Sequence, residues 1–157
     1  MGWAAGQGQR RAVARGNDGH RSLGDERDGG DGDGTRARAL AKAYGVFATG
    51  GKELGLRPET ISALVAPAIP ARHGFSDEFF GGPAEFSLGF MKPNESFRFG
   101  HPGAFGAPGA GGAMGYADPE TGIGYGYVTS RMGVHLQGDP RDVALRAAIP
   151  DAPTIAR

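Results

Sequence analysis

From Gly122 to Tyr127 every second residue is glycine, and the residues between, Ile123, Tyr125 and Tyr127, are all large. Successive side chains of a β-strand point to opposite faces, so this alternation makes one face bare backbone and the other bulky. A bare stripe within a strand marks close approach by another element, since only glycine lets a neighbour come into backbone contact. The strand is therefore expected to run from Ile123 to Ser130, to lie centrally in its sheet, and to carry a helix on its glycine face. The natural helix for that place is at Asp139 to Ala148. There Asp139-Pro140 offers an N-cap and a first-turn proline, and Val143, Ala144 and Ala147 share one side.

Other elements follow from spacing and punctuation. Ala37, Leu40, Ala41, Tyr44, Phe47 and Ala48 recur at the three-and-four spacing of a buried helical face, with Arg38 and Lys42 opposite. Thr35 is the expected N-cap of this helix, and Gly50-Gly51 its end. A short helix is expected from Pro58 to Val65, with Ile61, Leu64 and Val65 inward and Pro67 and Pro70 stopping it. Residues Ala71 to Pro83 read as an irregular loop packed through Phe75, Phe79 and Phe80. Phe86 to Met91 and Ser96 to Gly100 read as a hairpin about Pro93-Asn94-Glu95, and Ala113 to Ala117 as a strand ending in the turn Asp118 to Gly122.

Ahead of these elements the composition changes. Residues 1–34 are rich in Gly, Arg, Asp, Ala and Gln, with the tract Asp25 to Gly34 and almost no aliphatic side chains. Such a segment buries too little apolar surface to offset its ordering entropy and is expected to be disordered. Its Asp-x-Asp-Gly stretch lacks the twelve-residue spacing of a calcium loop. Residues 35–150 form the folded part, and 151–157 a tail. Seventeen basic and seventeen acidic side chains cancel, so no long-range field gathers nucleic acid or an anionic membrane. Absence of cysteine excludes disulfides, thiolate metal sites and cysteine nucleophiles. With no apolar run of spanning or signal length in Met1 to Arg15, a soluble, cytoplasmic chain without a membrane span is expected.

The chemistry-bearing residues are sparse. None of the six serines, Ser22, Ser62, Ser76, Ser87, Ser96 and Ser130, has Lys three residues on, and none lies in Gly-x-Ser-x-Gly. Ser96, His101 and Asp118 could compose a triad only if the fold joined them. His20, His73, His101 and His135 show no metal-ligand spacing, so no metal and no cofactor is expected. The glycine-rich stretch Phe99 to Gly112 holds a tandem pair, Phe99-Gly-His-Pro-Gly-Ala104 and Phe105-Gly-Ala-Pro-Gly-Ala110. It is no phosphate loop: no Lys-Ser or Lys-Thr follows it, and Met114 replaces the third glycine of Gly-x-Gly-x-x-Gly. Either a tight crossover between strands or a close backbone approach to a ligand fits it.

Taken in order, Ala37 to Tyr44, Gly50-Gly51, Phe99-Gly-His-Pro-Gly103, Gly109 to Gly112, Tyr116-Ala-Asp-Pro-Glu120, Gly124-Tyr-Gly-Tyr-Val128 and Arg131-Met132 resemble the β-lactamase-related serine hydrolases, the group of class C β-lactamases, D-alanyl-D-alanine carboxypeptidases and lactamase-like esterases. The resemblance covers roughly residues 35 to 150. It implies an α+β fold, here the C-terminal portion of a β-lactamase-like domain with an antiparallel sheet flanked by helices. In that family a Lys-Thr-Gly or His-x-Gly triplet on a strand lines the site. His101-Pro102-Gly103 matches the second form, while Ala107-Pro108-Gly109 lies at the more usual distance from Asp118-Pro119, with Ala107 in the cationic position. The resemblance thus implies one wall of a site, at His101, Gly103, Gly109 and Ala110, with backbone amides facing an oxyanion.

The family's Ser-x-x-Lys and Tyr-x-Asn are both missing, since no tyrosine has Asn two residues on. The chain is thus expected to be inactive alone, its substrate a small ester or amide only if complemented. Two other classes stay open: an interaction module pairing with a separately encoded N-terminal half, and a decayed or truncated product without activity.

Overall fold

The computed structural model describes residues 32–149. The expectation of disorder over 1–34 falls largely outside these residues, and the 151–157 tail wholly so. Three helices and one main antiparallel sheet make the α+β architecture that the sequence implies. Helix α1 (Gly32–Ala48) begins before Thr35, which lies within the helix instead of capping it. Its last turn closes through the amides of Gly50 and Gly51 on the carbonyls of Phe47 and Val46, and both glycines have positive φ. A single 3-10 turn (Lys52–Leu54) leads to helix α2 (Pro58–Val65), whose Leu64 is buried.

The loop expected at 71–83 contains a two-residue hairpin, β1 (Ser76–Asp77) with β2 (Gly82–Pro83). Phe80 packs on the core, but Phe79 stays 72% exposed. The expected hairpin of Phe86–Met91 with Ser96–Gly100 is replaced by a tighter one, β3 (Phe86–Ser87) with β4 (Phe90–Met91). Leu88 and Gly89 both have positive φ, the conformation of a two-residue turn matched to strand twist. Ser96 to Gly100 form no strand, because the Asn94 carboxamide oxygen accepts from the amides of Ser96 and Phe97 and curls the chain there. The sheet then continues through β5 (Phe105–Gly109), β6 (Ala113–Asp118) and β7 (Ile123–Tyr127), in the order β3-β4-β5-β6-β7. Within the described residues β7 is an edge strand, not a central one.

Side-chain alternation sorts the core into two layers. Met91, Phe97, Phe99, Met114 and Tyr116 cluster on one face with Tyr125 and Tyr127 against them, while Ala48, Leu64, Phe105 and Ala117 cluster on the other beside Tyr44 and Phe47. The glycine stripe is covered as expected, but by α1. A Cβ on Gly124 would overlap the backbone of Gly45, and one on Gly126 would come within 2.6 Å of Ala37 O and Ala41 N. Helix α3 (Pro140–Ala147) lies on the opposite, tyrosine face, where Tyr125 Oη donates to Asp142 Oδ1 at 2.9 Å.

The inner side of α3 is also not the expected one. Val143 is 44% exposed and Ala144 and Ala147 face solvent, whereas Asp142 is 2% exposed. Asp142 takes a second bond, 2.9 Å from Arg146 Nε, and Arg146 reaches the Arg98 carbonyl and stacks over Phe97. Tyr125 and Arg146 together satisfy the buried carboxylate, so a polar seam docks this helix. Among the described residues no helix is long and apolar enough to cross a membrane.

Candidate functional site

The tandem glycine-rich repeat is divided by the fold. Its first half turns ahead of β5, and its second half is β5 itself and the turn into β6. The first half is held by Asp118, the last residue of β6 and 3% exposed. Asp118 Oδ2 accepts from the His101 backbone amide at 3.2 Å and lies 2.8 Å from His101 Nδ1. The Glu120 carboxylate lies 3.7 Å from Nε2. The hydrogen bond and charge of Asp118 raise the His101 pKa above its ordinary value, with a smaller contribution from Glu120. Gly100 precedes this histidine with φ of 55°, and a Cβ there would press on Ala104 at 2.7 Å and Asp118 at 3.1 Å.

The imidazole is 46% exposed, and it borders an open groove of about 290 Å³ whose walls include Asn94, Glu95, Arg98 and Phe99. His101 thus sits in the turn ahead of β5, against the last residue of β6 and beside this groove. Asp118 and His101 of the paper triad meet. Ser96 does not join them: it is exposed in the Asn94 turn and makes no hydrogen bond to His101 among the described residues.

A side chain without any local signal in the sequence holds the rest of this turn. Lys92 is 2% exposed, and its Nζ donates to Leu64 O at 2.9 Å, Val65 O at 3.2 Å and Gly103 O at 3.2 Å. Three ammonium protons meet three carbonyls, two of them at the C-terminus of α2, where the helix dipole favours a cation. Burial lowers the Lys92 pKa. Lysine between a short strand and a proline carries no periodic signal, so only the fold reveals it. Gly103 is half-buried against Val65.

Gly109 and Ala110 lie at the other end of β5. Gly109 pairs with Ala113, and Ala110 is exposed in the connecting turn. The four expected wall residues therefore separate into two pairs. At about 3.3 Å per residue, the five residues of β5 put roughly 16 Å between them. Gly111 and Gly112 complete the turn with positive φ and are buried. A Cβ on Gly112 would overlap the Asp139 carboxylate, which is bonded in turn to Arg141 Nε at 2.9 Å and Nη2 at 2.8 Å. That pairing draws the Asp139 pKa down to about 2. Asp139 thus caps α3 and buttresses the glycine turn with one carboxylate.

Strand β4 meets β5 only at the pair Met91 and Gly106, so Ala107, Pro108 and Gly109 have β6 on one side and no strand on the other among the described residues. Those residues also hold no group of three His, Asp or Glu side chains able to bind a metal ion.

A family model described as Beta-lactamase matches residues 1–148. That match begins at residue 1 and so includes the Gly- and Asp-rich segment that lies outside the recognised motifs. Of solved structures, the chain is similar to a penicillin-binding protein homolog from Caulobacter crescentus, with TM-score 0.64 and 34% identity over 74% of this chain and 32% of that one. It is also similar to a family VIII carboxylesterase, with TM-score 0.60 and 30% identity over 73% of this chain and 31% of that one. A third is EstA from Arthrobacter nitroguajacolicus Rue61a, with TM-score 0.60 and 31% identity over 73% and 31% of the respective chains. The chain spans about a third of the length of each. No curated protein matches it.

Proposed function

This chain belongs to the β-lactamase family, and from that premise we propose that it forms one wall of a serine-hydrolase site for small esters or amides and lacks the nucleophile to work alone. The observation that carries the reading is the unpaired side of Ala107 to Gly109 on β5, next to a glycine turn braced by Asp139. A strand side without a strand neighbour, beside a turn held in place by Asp139, leaves room for a substrate carbonyl or an oxyanion. On this reading Ala107-Pro108-Gly109 is the triplet facing substrate, its cationic position is Ala107, and His101 holds the preceding turn through Asp118.

Catalysis would still need a serine made nucleophilic by a neighbouring base. None of the six serines has the lysine spacing for it. The full chain should hydrolyse p-nitrophenyl butyrate no faster than buffer and should resist labelling by a serine-directed phosphonate. Enzymatic turnover together with a labelled serine would sink this reading.

A second reading, that the chain complements a separately encoded partner, is favoured by the open outer edge of β7. Rates that rise only when a partner carrying Ser-x-x-Lys is added would support it.

A further inference from the structure

Helix α2 does not lead directly into a strand. Between its end and β1 runs Ala66-Pro67-Ala68-Ile69-Pro70-Ala71-Arg72, a stretch exposed throughout except at Ala68. Each proline fixes φ at about −65° and bars the residue before it, Ala66 or Ile69, from helical backbone. Ala66 accordingly has φ −54° and ψ 147°, close to polyproline II. From Pro67 to Pro70 the backbone makes no hydrogen bond to other backbone among the described residues, as that conformation entails. Both ends of the stretch are tied. The Lys92 ammonium holds Leu64 O and Val65 O at its root, and the Gly74 amide donates to Ala71 O at 2.9 Å at its far end.

Polyproline II repeats every three residues, which sorts this stretch into three ridges. Ala66, Ile69 and Arg72 share one, Pro67 and Pro70 the next, and Ala68 and Ala71 the third. Ala68 is the half-buried member, so the third ridge faces the body and the other two face solvent. Ile69 is 87% exposed. With Pro67 and Pro70 beside it, the exposed apolar surface is one continuous ridge and not an isolated side chain. Charge completes the pattern: no acidic residue occurs from Leu64 to Ser76, and Arg72 stands at the end of the ridge. A rigid ridge of this kind suits a groove. Its prolines fit between aromatic walls, and its arginine calls for a carboxylate beyond them.

We propose that Ala66 to Arg72 is a docking ridge for a second protein bearing an aromatic-lined groove of the SH3 kind, with carboxylates at one end of that groove. Pro67 and the Ile69-Pro70 pair fill the aromatic slots, and Arg72 pairs with the carboxylates. Because the ridge is already extended and tied at both ends, little ordering entropy opposes docking. None of its residues belongs to Ala107 to Gly109 or lines the groove at His101, so the proposal does not depend on the hydrolase reading.

The full chain is titrated with an isolated SH3 domain that takes Pro-x-x-Pro-x-Arg ligands, with calorimetry and chemical shifts as readouts. Binding should move the resonances of Ala68, Ile69, Ala71 and Arg72 and leave those of Ile123 to Tyr127 in place. Ile69→Asp and Arg72→Glu should each weaken it about tenfold or more, whereas Ala71→Ser, on the third ridge, should not. All three positions are exposed, so the unfolding midpoints of these variants should match wild type. The free peptide Ala-Pro-Ala-Ile-Pro-Ala-Arg should displace the chain from the groove, a readout that needs no variant to fold. Absence of binding, shifts centred elsewhere, indifference to either weakening variant, or failure of the peptide to compete would overturn the proposal. So would shifts at Ile69 that appear on concentrating the chain alone, because a second copy would then hold the ridge.

Discussion

Gly45 and Gly124 meet at the same helix-sheet contact, yet they should respond to substitution in opposite ways. The Gly45 Cβ position opens on empty space, while that of Gly124 is filled by the backbone of Gly45 and Ala41. Gly45→Ala removes a flexible residue from a helix interior without a clash, so it should stabilise the chain by about 0.5–1 kcal/mol in urea unfolding. Gly124→Val must displace backbone, not a yielding side chain, and should cost about 3 kcal/mol, the upper end of the overpacking range. Equal effects would mean that α1 does not lie on the stripe. His101 offers a pH test. Its folded pKa is raised by Asp118, so the pair stabilises fully below the ordinary histidine value and fades as pH rises through the folded one. The Tm of the wild type should therefore exceed that of His101→Gln by more at about pH 5.5 than at about pH 9. A gap that widens with pH would contradict the pairing.

At the scale of elements, helix α3 docks by charge and hydrogen bonds where its sequence suggests apolar contact. Removing the Asp142 carboxylate leaves Arg146, whose side chain is 9% exposed, without its partner and the Tyr125 hydroxyl without its acceptor. Asp142→Ala should cost about 3–5 kcal/mol. Val143→Ala, on the solvent side, should fall within about 0.5 kcal/mol of wild type. Thermal unfolding of both variants decides between the polar and apolar faces. The burial and the Asp142 charge that raise the Tyr125 pKa should keep this phenol protonated at any pH at which the fold survives. Ultraviolet titration of the tyrosines should then show Tyr125 ionising only as the chain unfolds.

For the whole molecule, an unprotected edge strand combines with a net charge of zero near neutrality. With no net repulsion between copies, any weak association should be strongest close to pH 7. Light scattering should decline about two pH units to either side. A flat profile would show that local charge alone keeps copies apart. Resemblance to chains about three times longer gives the edge a structural context: a half-buried strand at the end of a sheet invites continuation.

Local pattern determined much of this protein by itself. The helical spacing of Ala37 to Ala48, the Asp139-Pro140 start of α3, the strand pairing around Asp118 to Gly122, and the bare stripe needing a close neighbour all follow from side-chain period and turn chemistry, which act over a few residues. The family resemblance was likewise legible in the glycine-rich and Ala-Asp-Pro-Glu segments. Which helix covers the stripe, which way α3 faces, and that β7 closes the sheet at its edge were decided only by tertiary packing, because amphipathic period says that a face is buried without saying against what. The same holds for the site. His101 to Asp118 is a contact across 17 residues and Lys92 to Leu64 one across 28. Neither leaves a periodic trace, since a buried polar partner is chosen by proximity in the finished fold.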